Sequence, residues 1–246
     1  NRVTVTAYLV TATETNQLGQ ARTVIVVQRS LAIPGIIDAF VVVGGRDSTG
    51  APALVFSSHW DRLNYDLFQG DGTVTGPFPL SSRNFACLIA GDWNSDGRED
   101  FAGVSWDGHL RFECWNRTAE GGFTLGSVVE GTDPGTGIVA VGDLDGDGDT
   151  DLCGVSKRMM WDAEWEDWLV EHMCLARFFN NGQGQFTQAP DIELPWQYLS
   201  WSGYGIRALV LEDANRDGRL DIILGCSVNW QPPYDQYNGH HLLLFT

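Results

Sequence analysis

Asp143-Leu-Asp-Gly-Asp-Gly-Asp-Thr-Asp151 places a carboxylate at every odd position of a nine-residue loop that turns at Gly148. The same register returns as Asp92-Trp-Asn-Ser-Asp-Gly-Arg-Glu-Asp100 and as Asp213-Ala-Asn-Arg-Asp-Gly-Arg-Leu-Asp221, with turn glycines Gly97 and Gly218. Oxygens on positions 1, 3 and 5 converge on one point when such a loop turns sharply, and calcium takes six to eight hard oxygen ligands. The expected side-chain ligands are therefore Asp92, Asn94 and Asp96, then Asp143, Asp145 and Asp147, then Asp213, Asn215 and Asp217. Position 7 is expected to offer a backbone carbonyl, from Arg98, Asp149 and Arg219, while Asp100, Asp151 and Asp221 close the shell at position 9. Three calcium ions are expected. Magnesium suits the loops less, because it wants a tight octahedron and keeps most of its waters. Solvated acidic turns are the plain alternative, since Asp, Asn and Gly favour turns anyway, but three copies in register argue against it.

The flanks decide what the loops connect. A 12-residue helix-loop-helix calcium site leads into a helix, whereas short apolar runs precede these loops (85–90, 138–141, 206–211) and follow them (101–105, 152–156, 222–225). Each loop is thus expected to join two strands of a hairpin. A third strand follows at 110–115 and at 175–179, then a glycine-rich turn and a fourth strand opening Gly-Phe-Thr or Gln-Phe-Thr. Four antiparallel strands per unit make a propeller blade, so the expected fold class is all-β, a β-propeller of four-stranded blades.

Gly142-Asp-Leu-Asp-Gly-Asp-Gly-Asp-Thr-Asp-Leu, with Arg177-Phe-Phe-Asn-Asn-Gly-Gln-Gly-Gln-Phe-Thr downstream, resembles the FG-GAP/VCBS repeat of integrin-like propellers, over about residues 38 to 246. The resemblance implies a calcium-bearing propeller of the kind found in extracellular adhesion proteins, fungal lectins and some secreted polysaccharide-active enzymes. It also implies an extracellular location, secreted or at the cell surface. Only the metal ligands carry over residue by residue. An earlier copy, Gly45-Arg-Asp-Ser-Thr-Gly-Ala-Pro-Ala53, keeps the turn glycine Gly50 but lacks carboxylates at positions 1 and 9, so a blade without calcium is expected there.

The turn glycines recur at about 50 residues, with an insertion in the third unit, and delimit repeats at 38–80, 85–130, 137–196 and 205–246 within a region 36–246. The last repeat ends on its third strand, leaving an edge unsatisfied. Residues 1–35 carry a surplus hairpin, with strands expected over Val3 to Thr11 and Thr23 to Gln28 and a turn at Asn16 to Gly19. Three arrangements stay open. The hairpin closes a four-bladed ring in its own chain, it adds in trans to the edge of another copy, or the chain is part of a larger propeller. The start at Asn1, with no leader before it, reads as a processed, trimmed or partial chain.

Composition narrows the partners. A formal net charge of −17 with a single lysine, Lys157, opposes binding to a phosphate backbone, so neither nucleic acid nor anionic membrane is expected. The longest apolar runs fall well short of the roughly 20 residues that span a bilayer. Five cysteines lie in apolar strand-like runs and read as small buried hydrophobes; a Cys153 to Cys174 bridge is the alternative. Trp161, Trp165 and Trp168 recur at i, i+4 and i+7 in the insertion 157–172, which predicts a short amphipathic helix. Several of the ten tryptophans (Trp60, Trp161, Trp165, Trp168, Trp196, Trp201, Trp230) are expected in loops, where a ring packs on the protein body or stacks on a sugar. Asn116-Arg117-Thr118 is an N-glycosylation sequon, placed just after a strand. The five histidines are scattered and no nucleophile motif is present. The function expected is non-catalytic: a calcium-stabilised extracellular structural protein that self-associates through the N-terminal hairpin and the C-terminal edge strand. The alternative is a calcium-dependent lectin or adhesion propeller with a glycan ligand. A polysaccharide lyase-type enzyme comes third.

Overall fold

The computed structural model describes residues 2–7, 12–15, 21–24, 29–34, 37–44, 52–58, 62–68, 74–105, 109–133, 135–163, 167–194, 206–228 and 239–245. The described residues are all-β, built as a series of antiparallel sheets of propeller-blade type. The first blade is β5 (Ile37–Val43), β6 (Ala53–Ser58), β7 (Arg62–Phe68) and β8 (Val74–Ser81), hydrogen-bonded in that order. The second is β9 (Phe85–Gly91), β10 (Asp100–Ser105), β11 (Arg111–Arg117) and β12 (Phe123–Glu130). The third is β13 (Gly135–Gly142), β14 (Asp151–Asp162), β15 (Asp167–Asn180) and β16 (Phe186–Gln188), with the short β17 (Ile192–Glu193) also on β15. The fourth has three strands, β18 (Ile206–Glu212), β19 (Asp221–Val228) and β20 (Gly239–Phe245). The blade expected over the degenerate repeat is present, although its loop 45–51 lies outside the described residues.

Apolar side chains alternate along these strands, and the sheets stack face to face on them. Val43, Val55, Leu63, Phe85, Phe101 and Trp115 form the core between the first and second blades, where the Phe101 ring lies parallel to Trp115 and edge-on to Phe123. Trp93, Val104, Leu110, Phe112, Leu152 and Phe178 fill the second interface. Val155, Leu175, Ile206, Ile222 and Leu224 fill the third. The innermost strands follow one another side by side, β5 against β9, β9 against β13 and β13 against β18. The second strands of the blades with acidic loops carry Gly103, Gly154 and Gly225, and Gly103 makes room for a ring of its own hairpin. A Cβ on Gly103 would meet the Phe85 ring at 2.5 Å.

Within residues 1–35 two antiparallel ladders share the register of a single hairpin, Arg2 opposite Pro34 at one end and Thr15 opposite Ala21 at the other. β1 (Arg2–Ala7) pairs with β4 (Arg29–Pro34), and β2 (Ala12–Thr15) pairs with β3 (Ala21–Val24). Of the strand expected over Val3 to Thr11 the ladder covers residues up to Ala7, and of the return arm expected over Thr23 to Gln28 it covers Thr23 and Val24; residues 8–11, 16–20 and 25–28 lie outside the described residues. Among the described residues, no N-terminal strand pairs with β20.

The helix expected over the tryptophan insertion is overturned. β14 and β15 run on past the blade as a paired ribbon, in register from Leu152 opposite Phe178 out to Asp162 opposite Asp167, with a bulge after Arg158. Trp161 stands opposite Trp168 in that ladder, so both lie in strands instead of loops, and Trp161 is exposed. Extending an existing ladder satisfies the backbone residue by residue, whereas a helix of this length must pay for its own nucleation. Trp165, Trp60, Trp196, Trp201 and Trp230 lie outside the described residues.

Asp66 on β7 is 3% exposed, and burial pushes its carboxyl up to about 6 from an ordinary 3.8. Gly76, at φ 136, leaves it room, since a Cβ there would come within 2.3 Å of Asp66 Oδ1. A folded-state pKa above the unfolded one makes the native state take up a proton between about pH 4 and 6. The stability so gained is lost as pH rises through 6. Asp66→Asn should therefore gain on the wild type, by about 1–3 kcal/mol between pH 4 and pH 7.5, in chelator-treated samples followed by urea unfolding. A difference that stays constant with pH would contradict the assignment.

Candidate metal loops and the latch between blades

Each acidic loop joins the two innermost strands of its blade: 92–100 between β9 and β10, 143–151 between β13 and β14, and 213–221 between β18 and β19. The same side-chain turns recur in all three. The position-1 carboxylate accepts the N–H of the position-6 glycine, Gly97 to Asp92 at 2.9 Å, Gly148 to Asp143 at 3.0 Å and Gly218 to Asp213 at 3.0 Å. Position 3 accepts the N–H of position 5, as Asp96 to Asn94, Asp147 to Asp145 and Asp217 to Asn215. Position 5 in turn accepts from position 7, as Arg98 to Asp96, Asp149 to Asp147 and Arg219 to Asp217, each at 2.9 Å.

Two residues per loop are left-handed. The position-6 glycines adopt φ of 81°, 94° and 90°, as the sequence implies; position 4 does the same at Ser95 (55°), Gly146 (84°) and Arg216 (64°). For Ser95 and Arg216 this conformation costs about 1–2 kcal/mol, so the turns around them must hold them there.

Position 9 opens the second strand and is sealed from water, with Asp100 and Asp151 at 0% and Asp221 at 1% exposure. Asp100 accepts Trp93 N at 3.1 Å on one oxygen and Arg117 N at 2.6 Å on the other. Asp151 does the same with Leu144 N and Asn180 N, both at 2.7 Å. Asp221 accepts Ala214 N at 2.9 Å and Asn215 N at 3.1 Å on one oxygen. The carboxylate thereby ties the start of its own loop down and, in the second and third blades, fixes the far end of the third strand. Burial raises Asp100 and Asp151 to about 6, against the pull of those N–H bonds, and the neighbouring carboxylates push the same way.

Loop 143–151 best fits a hard divalent cation. Carboxylate oxygens of Asp143, Asp145 and Asp151 lie within 4.8 Å of one another, and the loop contains no basic residue. Asp147 lies outside that trio and bonds Asp149 N instead. In loop 92–100 the Arg98 guanidinium sits on the Asp96 carboxylate and on the Arg117 carbonyl. In loop 213–221 the Asn215 amide nitrogen bridges Asp217 and Asp221. In both of these loops a cation would have to displace a protein donor.

A second pattern is invisible in the sequence. The residue that gives its N–H to the position-9 aspartate also sends its side chain to a backbone carbonyl of the preceding blade. Arg117 Nη1 donates to Val43 O at 3.2 Å, and Asn180 Nδ2 donates to Trp93 O at 2.8 Å. Position 8 makes a parallel contact, with Gly44 N donating to Glu99 at 2.5 Å and Leu220 packing where a Cβ on Gly142 would come. These contacts pair residues far apart in sequence, and nothing local marks them. Trp93 was the one visible hint, a large apolar residue inside an acidic loop, and it is fully buried beside Phe186.

Asn116 lies within β11, opposite Thr124, rather than just after a strand. It is half-buried, with its amide over Gly126, where a Cβ would come within 2.7 Å. All five cysteines are free thiols; Cys153 stands opposite Arg177 and Cys174 opposite Ser156, which leaves the two out of register for a bridge.

Asp151→Asn presents an amide N–H to one of two backbone donors, and should cost about 2–4 kcal/mol in chemical unfolding. Gly148→Ala meets no atom within 4 Å, so its cost is backbone strain alone, about 1–2 kcal/mol. Equal stability of either variant and the wild type would contradict the loop geometry.

No curated protein matches the chain. Residues 92–153, which run from the first acidic loop through the second, match a family model described as an FG-GAP-like repeat. The span takes in both acidic loops and β10, β11, β12 and β13, so it crosses from the second blade into the third, and this stretch of the chain is similar to an FG-GAP-like repeat.

Proposed function

We propose that this chain is a non-catalytic, calcium-stabilised structural protein of the extracellular space or cell surface, and that copies join by donation of the N-terminal strands to the last blade. The observation that carries the reading is the edge of β20. The other blades have at least four strands, but the fourth has three, and among the described residues β20 pairs only with β19. An open, apolar edge is a template for another strand.

The surfaces beside that edge support the reading. Val210, Leu242 and Leu244 are 50%, 79% and 53% exposed on the free face of the fourth blade, and Phe40 and Val42 are exposed at the other end of the stack. Such faces are what each interior blade buries against its neighbour. The ladders of β1 with β4 and β2 with β3 supply strands beyond those of the first blade. Head-to-tail contacts of this heterologous kind repeat into rings or fibres.

Calcium would be held by the carboxylates of each loop, most completely by Asp143, Asp145 and Asp151, and would neutralise charge crowded into short turns. The non-catalytic part rests on the thiols as well as on the absence of a nucleophile motif. Burial pushes Cys114 and Cys153 up to about 12, and Cys174 and Cys226 up to about 11, far from the thiolate a nucleophile needs. Repeats of the FG-GAP-like family usually occur in extracellular or surface proteins, which supports the location.

Light scattering on the full chain in calcium should show mass rising with concentration. Lysines at both Leu242 and Leu244 should return it to a single monomeric mass. A wild type that stays monomeric across the accessible range would reject self-assembly.

A further inference from the structure

We propose that Asn180 is a positioning residue that couples two of the loops, so that calcium held by 143–151 raises the affinity of 92–100 for calcium. This deepens, and rests on, the calcium reading above.

Asn180 ends β15 at 4% exposure, with both side-chain polar atoms and its backbone N–H engaged. Its backbone N–H goes to Asp151 Oδ1 at 2.7 Å, its Oδ1 accepts Gly184 N at 3.1 Å, and its Nδ2 divides between Thr150 O at 3.1 Å and Trp93 O at 2.8 Å. Positions 8 and 9 of one loop are thus joined through a single buried amide to position 2 of the other. A second bond runs alongside. Ser95 Oγ donates to Asp149 Oδ1 at 3.2 Å, which links position 7 of the later loop to the left-handed position 4 of the earlier one. Gly182 leaves the space that Asp149 needs, since a Cβ there would come within 2.5 Å of its carboxylate.

A cation in 143–151 would immobilise residues 149 to 151, the segment that grips Asn180 and Ser95. Loop 92–100 would then meet its own ion with Trp93 and Ser95 already fixed, and the ordering cost of that second step would fall. Repulsion between the two cations acts the other way. It is weakened by the five carboxylates of 143–151 and by screening over about 8 Å at physiological salt, so positive coupling is expected to win. Loop 213–221 serves as an internal control. Among the described residues it makes no hydrogen bond to either of the other loops, and it meets the third blade through the apolar Leu220.

The amide signals of Gly97, Gly148 and Gly218 report the three loops separately, because each donates to the position-1 carboxylate of its own loop. Calcium chloride would be titrated into the stripped full chain, and the midpoint read for each amide by nitrogen-resolved NMR. Asp145→Ala removes an exposed ligand of 143–151; it should abolish the Gly148 response, raise the Gly97 midpoint by about 5-fold or more, and leave Gly218 unmoved. Asn180→Ala should raise the Gly97 midpoint similarly while Gly148 still saturates, and combining the two changes should add no further shift at Gly97. If Asn180→Ala does not fold, Ser95→Ala carries the same test through the second bond, with a smaller rise expected. An unchanged or lowered Gly97 midpoint in Asp145→Ala overturns the coupling while leaving the calcium reading intact. If none of the three amides responds in the wild type, both fall together.

Discussion

A buried aspartate at the ninth position of each acidic loop is the constraint on which the described structure depends. Asp100 and Asp151 each turn one oxygen to the start of their own loop and the other to the end of the third strand of the blade. A carboxylate stripped of water is costly unless its oxygens are satisfied, and here the satisfaction comes from two separate backbone segments. Loop, hairpin and third strand are therefore held in one geometry by the same side chain. Asp221 lacks the third-strand bond among the described residues and is tied to its own loop by two N–H donors.

From that anchor the blades are joined in two ways. Apolar faces stack into three cores, which supply most of the burial. Polar latches at the loop end of the sheets add direction: Arg117 reaches back to Val43, Asn180 to Trp93 and Glu99 to Gly44. Stacked sheets alone tolerate sliding, whereas a buried amide bonded to one particular carbonyl of the neighbouring blade does not. The acidic loops thus sit where blade meets blade, and their state of order bears on how the blades are held as well as on each turn.

Much of this was legible in the sequence because it is local. The spacing of carboxylates around Gly97, Gly148 and Gly218 marked the turns, and the apolar runs on either side marked the strands they join. What was not legible is long-range or conformational. Ser95 and Arg216 are left-handed without being glycine, a choice made by the turn hydrogen bonds around them. Trp161, Trp165 and Trp168 have helical spacing, yet Trp161 and Trp168 stand opposite each other in a ladder already begun by the blade, because adjacent pairing outweighs a periodicity of three residues. The latch residues Arg117 and Asn180 have partners 74 and 87 positions away, and no window of sequence contains both ends.

The free ends of the stack give the same physics an outward direction. Faces like those buried between interior blades are exposed at Phe40 and Val42 on one side and at Val210, Leu242 and Leu244 on the other. The second, third and fourth blades are anchored at their acidic loops, so the proposed ion uptake there is the point from which the proposed assembly would be controlled. Calorimetric titration of the chelator-stripped chain with calcium, paired with its melting temperature, tests this most directly. One ion taken up per acidic loop, with a clear rise in melting temperature, is the expected result. No heat of uptake and an unchanged melting temperature would contradict it.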